Sequence, residues 1–208
     1  MLLADIGNTH IHIFNTDRYD DEVIHLKHNI AIKKYSTKDI YYISVNSEIE
    51  EKINASTKWK NISSKINLDG SYDTMGVDRK SLCLSHKNGI FIDAGSAITI
   101  DIMESGIYKG GFILAGLKSI LNSYKDISPK LEIDMNYDIL LDRLPLTTKD
   151  GISYGIIAPI KTIIEKHQED RKLYFTGGDG EYLSSLFENS VFDEKLVFKG
   201  MQTRLKGN

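Results

Sequence analysis

Three carboxylates stand where carboxylates can do chemistry. Asp5 ends the apolar run Leu2-Leu3-Ala4 and is followed by Ile6-Gly7-Asn8-Thr9; Asp93 ends Gly89-Ile90-Phe91-Ile92 and is followed by Ala94-Gly95-Ser96-Ala97-Ile98-Thr99. Each copy reads Asp-x-Gly, then small residues rich in hydroxyl or amide groups, then a resumed alternation at His10 to Phe14 or Ile98 to Ile102. Glycine lets a backbone turn come close to a ligand, and exposed N–H groups and hydroxyls suit phosphate oxygens or a hydrated cation. The pattern predicts two hairpins with carboxylates at their tips, and facing tips would make a nucleotide cleft. In the first, Thr9, Asn8 and the Gly7 amide would hold ATP phosphates while Asp5 orders a hydrated Mg²⁺, an ion that prefers oxygen ligands and keeps several waters. An ordinary Asx-type hairpin turn explains Asp, Gly and Asn at a single tip equally well. It does not explain the echo at Asp93, nor the Gly-rich turn Thr176-Gly177-Gly178-Asp179-Gly180 between a short strand and a helix, a common nucleotide seat.

The third carboxylate is Asp78, in Gly76-Val77-Asp78-Arg79. An acidic residue in the first turn of a helix is favoured by the macrodipole, which accounts for Asp78 alone. Arg79 beside it, Tyr72 upstream and Gly76 allowing close approach point instead to a pocket for an anionic, hydroxylated small molecule, because Arg binds a carboxylate as a fork. Gly110-Gly111-Phe112-Ile113-Leu114-Ala115-Gly116 reads as a strand that needs glycine for close packing. The histidines lack metal-ligand spacing, and His10, His12, His25 and His28 read as strand residues facing solvent.

The elements that must position these residues alternate in type. Strands are expected at Leu2 to Ile6, His10 to Phe14, Glu22 to Lys27 and Ile40 to Val45, with a helical stretch before the last and an amphipathic helix within Ser47 to Lys60. Turn formers from Asp69 to Gly76 mark a hinge, and Val77 to His86 has helical spacing. A second series follows: strands at Gly89 to Ile92, Ile98 to Ile102 and Tyr108 to Leu114, then a helix from Gly116 to about Tyr124. Thr147 to His167 reads as a long helix that Pro159 should kink or break. Similar order after similar motifs suggests duplication, with halves at 1–84 and 85–208 and an α/β class.

With 208 residues, 41% hydrophobic and 26% charged, the chain has an ordinary globular composition, and its net charge of -3 gives no general attraction to nucleic acid or acidic membrane. Cys83 is the single cysteine, which leaves no internal disulfide and fits a reducing compartment. It reads as a buried helix residue. No apolar run is long enough to span a bilayer, and the first strand begins without a basic segment or cleavage site, so a cytoplasmic protein is expected.

Taken in order, the Asp5 motif, Gly76 to Arg79, Asp93 to Asp101, Gly110 to Gly116 and Thr176-Gly177-Gly178 resemble the type III pantothenate kinases, nearly end to end. Those enzymes belong to the acetate and sugar kinase, heat-shock protein and actin superfamily, built from two ribonuclease-H-like halves with ATP between them. The resemblance implies phosphorylation of pantothenate by ATP, the first step of coenzyme A synthesis, in a homodimer that needs Mg²⁺ and a monovalent cation, K⁺ or NH₄⁺. Asp5, Ile6, Gly7, Asn8, Thr9, His10, Ile11 and His12 then correspond to the first ATP phosphate loop, Ser96 to a hydroxyl on ATP, and Asp93 to the monovalent-cation ligand. Tyr72, Gly76, Val77, Asp78 and Arg79 correspond to the pantothenate site, with Asp78 as proton acceptor, and Thr148 to a substrate contact contributed across the dimer. Ser96 replaces the family's usual Thr, Ala115 a Pro and Thr147 an Asn. Alternatives are another small-molecule kinase or phosphatase of the superfamily, a non-catalytic regulator on the same scaffold, and an ATP-switched binding protein, for which the chain is short.

Overall fold

Leu3, Ala4, Ile6, Ile11 and Ile13 are all buried, and they put a hairpin at the centre of the first sheet. In the computed structural model, which describes residues 1–17 and 22–205, strand β1 (Leu2–Ile6) pairs antiparallel with β2 (Ile11–Asn15), with Asp5 opposite His12. Strand β3 (Ile24–Leu26) extends β2 antiparallel; on the other side β4 (Ile40–Ser44) runs parallel to β1, and β5 (Lys60–Asn61) runs parallel to β4. The order is β3-β2-β1-β4-β5. Helices α1 (His28–Tyr35) and α2 (Ser47–Ser56) contribute Ala31, Ile49 and Ile53 to one core, and Trp59 closes it by donating from Nε1 to the Tyr35 carbonyl at 3.0 Å. Helix α3 (Val77–Cys83) follows, with Cys83 buried.

The second sheet repeats this plan. Strands β6 (Gly89–Ala94), β7 (Ala97–Glu104) and β8 (Ile107–Ala115) lead through α4 (Leu117–Ile127) and α5 (Thr148–Gln168) to β9 (Leu173–Thr176), α6 (Gly180–Ser184) and β10 (Ser190–Phe192). The order is β10-β9-β6-β7-β8, with β6, β9 and β10 mutually parallel, which is the order of the first sheet read from its far edge. Asp93 on β6 lies opposite Thr176 as Asp5 on β1 lies opposite Ile43. The α/β class with two like halves is what the chain forms.

Helix α5 runs unbroken through Pro159, against the expected kink or break. Proline removes one backbone donor and crowds the carbonyl four residues back, here that of Gly155, which has no side chain. Ile152, Ile156, Ile160 and Ile164 hold the same helix in the second core on both sides of the proline, each worth about 1.5–3 kcal/mol when fully buried. Packing outweighs the local defect.

Helix α7 (Leu196–Leu205) returns to the first sheet, where Phe198 packs on Phe14 of β2 at 5.4 Å between ring centroids. One compact unit therefore comprises Met1–Lys87, Met103–Gly110 and Glu194–Asn208, and a second comprises Asn88–Ile102 and Gly111–Asp193. Among the described residues no helix is long and apolar enough to cross a membrane.

Candidate active site

The first Asp-x-Gly turn closes on one hydrogen bond, from the Gly7 N–H to the His10 carbonyl at 3.1 Å, which leaves Asn8 and Thr9 exposed at the tip. His28 Nε2 donates to the Gly7 carbonyl at 3.0 Å and ties the tip to the start of α1. Behind it, His12 Nδ1 lies 2.6 Å from His25 Nδ1, and His25 Nε2 lies 3.6 Å from Glu194. Burial, then the charges His25 and His10 would carry, lower the His12 pKa to about 4. His12 is neutral at pH 7. His25 is exposed, as expected of a strand histidine, but His10 lies outside the strands, His28 opens α1, and His10, His12 and His28 are all half-buried. Period-two alternation puts His12 on the face of Phe14, which Phe198 covers, and that covering could not be read from β2 alone.

The second motif sits beside the first. The Val45 N–H donates to the Ile6 carbonyl at 3.2 Å, and a Cβ on Gly76 would lie 3.8 Å from the Val45 side chain. Helix α3 thus starts at the carboxyl ends of the parallel strands β1 and β4, where open α/β sheets bind ligands. The same Cβ would come within 2.4 Å of Asp78 Oδ1, so only glycine lets the carboxylate fold back as it does, accepting the Arg79 N–H at 2.8 Å. Arg79 is 6% exposed. Its guanidinium donates to the Tyr72 hydroxyl at 2.8 Å and lies 6.0 Å from that ring's centre. Tyr72, Gly76, Val77, Asp78 and Arg79 form one corner.

In the second unit, Gly177 adopts φ +85°, and a Cβ there would strike Asp93 Oδ1 at 2.5 Å and the Ala94 carbonyl at 2.6 Å. The glycine-rich turn and the second carboxylate are therefore packed against each other, and the oxygens around Gly177 are hard donors of the kind that suit an alkali-metal or ammonium ion. The Asp179 N–H donates to the Ala94 carbonyl at 2.9 Å and fixes the turn. Ser96 is exposed; its carbonyl accepts from the Gly116 N–H at 3.1 Å and the Ser119 hydroxyl at 3.3 Å. Thr148 opens α5, exposed, behind the capping Thr147, whose Oγ1 accepts the Asp150 N–H at 3.1 Å and donates to the Asp150 carboxylate at 2.8 Å.

Residues 53–169 match the sequence model of the family described as type III pantothenate kinase. The type III pantothenate kinase of Helicobacter hepaticus is 42% identical over 207 residues, covering 99% of this chain and 98% of that protein. This chain belongs to the type III pantothenate kinase family. A crystal structure from Campylobacter jejuni, named for a Baf family of transcriptional activators, superposes with a TM-score of 0.88 at 34% identity, covering 99% of this chain and 98% of that one. MreB 5 of Spiroplasma citri, solved with AMPPNP, shares the fold at a TM-score of 0.51 and 9% identity, over 99% of this chain and 95% of that one.

This type III pantothenate kinase family member also has site features that motif reading passed over. A cavity of about 570 Å³ in the second unit is lined by Ser96, Lys118, Asn122, Tyr137, Gly178 and Asp179, among others. Burial raises the Asp179 pKa above the ordinary carboxylate value. Tyr182 meets the Tyr137 ring edge-on at 4.7 Å, and burial, followed by Tyr137 and Asp138, pushes its phenol up to about 12. Asp179 was visible in the Gly-Gly-Asp-Gly turn. Tyr137 lies in irregular chain between α4 and α5, where no period marks it.

Proposed function

We propose that this chain transfers the terminal phosphoryl group of ATP to the primary hydroxyl of pantothenate, the first step of coenzyme A biosynthesis, in the cytoplasm. Family membership gives the activity; the corner of Tyr72, Asp78 and Arg79 is the observation that carries its placement on this chain. Phosphoryl transfer passes through a loose transition state, so catalysis is mostly positioning and charge neutralisation. Asp78 orients the hydroxyl and accepts its proton late, as the new P–O bond forms and the bond to the ADP oxygen breaks. Arg79, fixed by Tyr72, meets the carboxylate of pantothenate, and Gly76 and Val77 let the substrate backbone approach.

The Asp5 to His12 tip and Ser96 hold the nucleotide. Among the described residues no three His, Cys, Asp or Glu side chains cluster as a metal site. A single carboxylate, Asp5, reaching Mg²⁺ through water fits an ion that takes its remaining ligands from phosphate and solvent. Asp93, with the oxygens around Gly177, holds K⁺ or NH₄⁺. These cations supply charge neutralisation and stiffness. Ile127, Leu140, Leu144 and Leu146 are exposed, Leu146 at 99%, and support a homodimer in which Thr148 reaches the partner's substrate.

The test is ADP release by the purified protein with ATP and Mg²⁺, with and without pantothenate and K⁺. Pantothenate-dependent release is expected, and Asp78→Asn should lower kcat by roughly 10²–10⁴-fold with the fold intact. Full turnover by Asp78→Asn would remove the proton acceptor. The name of the Campylobacter jejuni structure favours a second reading, a non-catalytic regulator. That reading requires no pantothenate-dependent release in either salt.

A further inference from the structure

The corner that carries Tyr72 and Arg79 is held from outside its own stretch of sequence. The Tyr108 N–H, at the start of β8, donates to the Asp69 carbonyl at 2.8 Å. Next to it, Gly70 at φ +82° faces the Tyr108 carbonyl so closely that a methyl group would come within 2.7 Å. The Tyr108 side chain is 7% exposed, and its ring centre lies 6.2 Å from that of Tyr72, tilted by 54°. Tyr72 is itself 46% exposed and sits on a turn, where a lone tyrosine samples several rotamers. Here it has the buried Tyr108 ring against it and the Arg79 guanidinium on its hydroxyl.

We propose that Tyr108, with Gly70, is a positioning residue of the acceptor site: it fixes the Tyr72 ring, and through it the direction in which the Arg79 fork meets the acceptor's carboxylate. The proposal rests on the assignment of Tyr72 and Arg79 to pantothenate. Side chains ordered before the ligand arrives do not have to be ordered by it, so the loss on disrupting Tyr108 falls on acceptor binding rather than on ATP. It also falls on the charged end of the acceptor. An acceptor without a carboxylate has no use for the fork and should be indifferent to Tyr108.

Steady-state kinetics of the full-length enzyme separate these roles, using pantothenate and pantothenol, its neutral alcohol analogue. Tyr108→Leu is expected to raise KM for pantothenate roughly tenfold, leave kcat and the KM for ATP within about twofold, and reduce the preference for the acid over the alcohol by the same factor. Tyr108→Phe, which keeps the ring, should restore the preference. An unchanged preference in Tyr108→Leu, or an equal loss on both acceptors, overturns the proposal. Arg79→Lys distinguishes it from its premise: if that variant loses the preference while Tyr108→Leu keeps it, only the proposal fails. If Arg79→Lys keeps the preference, the placement of Arg79 fails first. Should Tyr108→Leu not fold, Gly70→Ala leaves the ring in place but moves the turn, and it must show the same selective loss or the proposal is wrong.

Discussion

A methyl group at position 76 would occupy the space of the Asp78 carboxylate, and a side-chain oxygen yields more easily than a backbone. Gly76→Ala should therefore swing Asp78 rather than unfold α3, lowering kcat by roughly 10–100-fold, since displacements near 1 Å at a reacting group cost that much. Thermal melting should move little, and a variant with native kcat would show that the carboxylate has no fixed task. His12 gives a second prediction at this scale. Its folded pKa is about 4 against 6.5 for the free side chain, so between those values the unfolded chain binds a proton that the fold refuses. Stability from this group is complete above pH 6.5 and is lost as pH falls toward 4, by at most about 3 kcal/mol. His12→Asn should flatten the fall in melting temperature between pH 7 and pH 4.5. Parallel curves for the two proteins would rule the assignment out.

Among the elements, α3 depends on a helix from the other end of the chain. A Cβ on Gly200 of α7 would lie 1.7 Å from the Ser81 carbonyl, and Ser81 Oγ donates to the Val197 carbonyl at 2.8 Å, so the two helices meet backbone to backbone. Gly200→Ala is expected to cost at least about 1–3 kcal/mol, as overpacking does, and to lower the melting temperature. Native melting would mean that the helices part without loss. Thr147→Ala should cost about 1 kcal/mol through the lost N-cap of α5, measured by urea unfolding. The hairpin of β1 and β2 and the helix α5 were legible because period and capping chemistry are written locally. Helix α7 and the three-residue β10 went unread, since nothing within Leu196–Leu205 says which sheet it covers and three residues are too few to show alternation. The same contrast holds within the site. Asp5, Asp93 and the glycine turn at 177 announce themselves because tight turns accept few residue types, whereas Tyr108 matters through Gly70 and Tyr72, distant in sequence.

For the whole molecule, the homodimer proposed above assigns its contact to the exposed apolar side chains between α4 and α5. Leu146→Asp should shift sedimentation from dimer to monomer, because burying one such side chain is worth about 1.5–3 kcal/mol and burying a carboxylate in its place is costly. A dimer unchanged in Leu146→Asp would place the contact elsewhere. The return of α7 to the first sheet has a consequence for biosynthesis. Residues of the first unit leave the ribosome up to Lys87, but Phe198, which covers Phe14, follows only after the second unit's residues through Asp193. At elongation rates of about 5–20 residues per second, that face of the sheet stays uncovered for roughly 5–20 s. The nascent chain therefore completes its second unit before its first, and Phe14 waits for Phe198 to seal its face of the sheet.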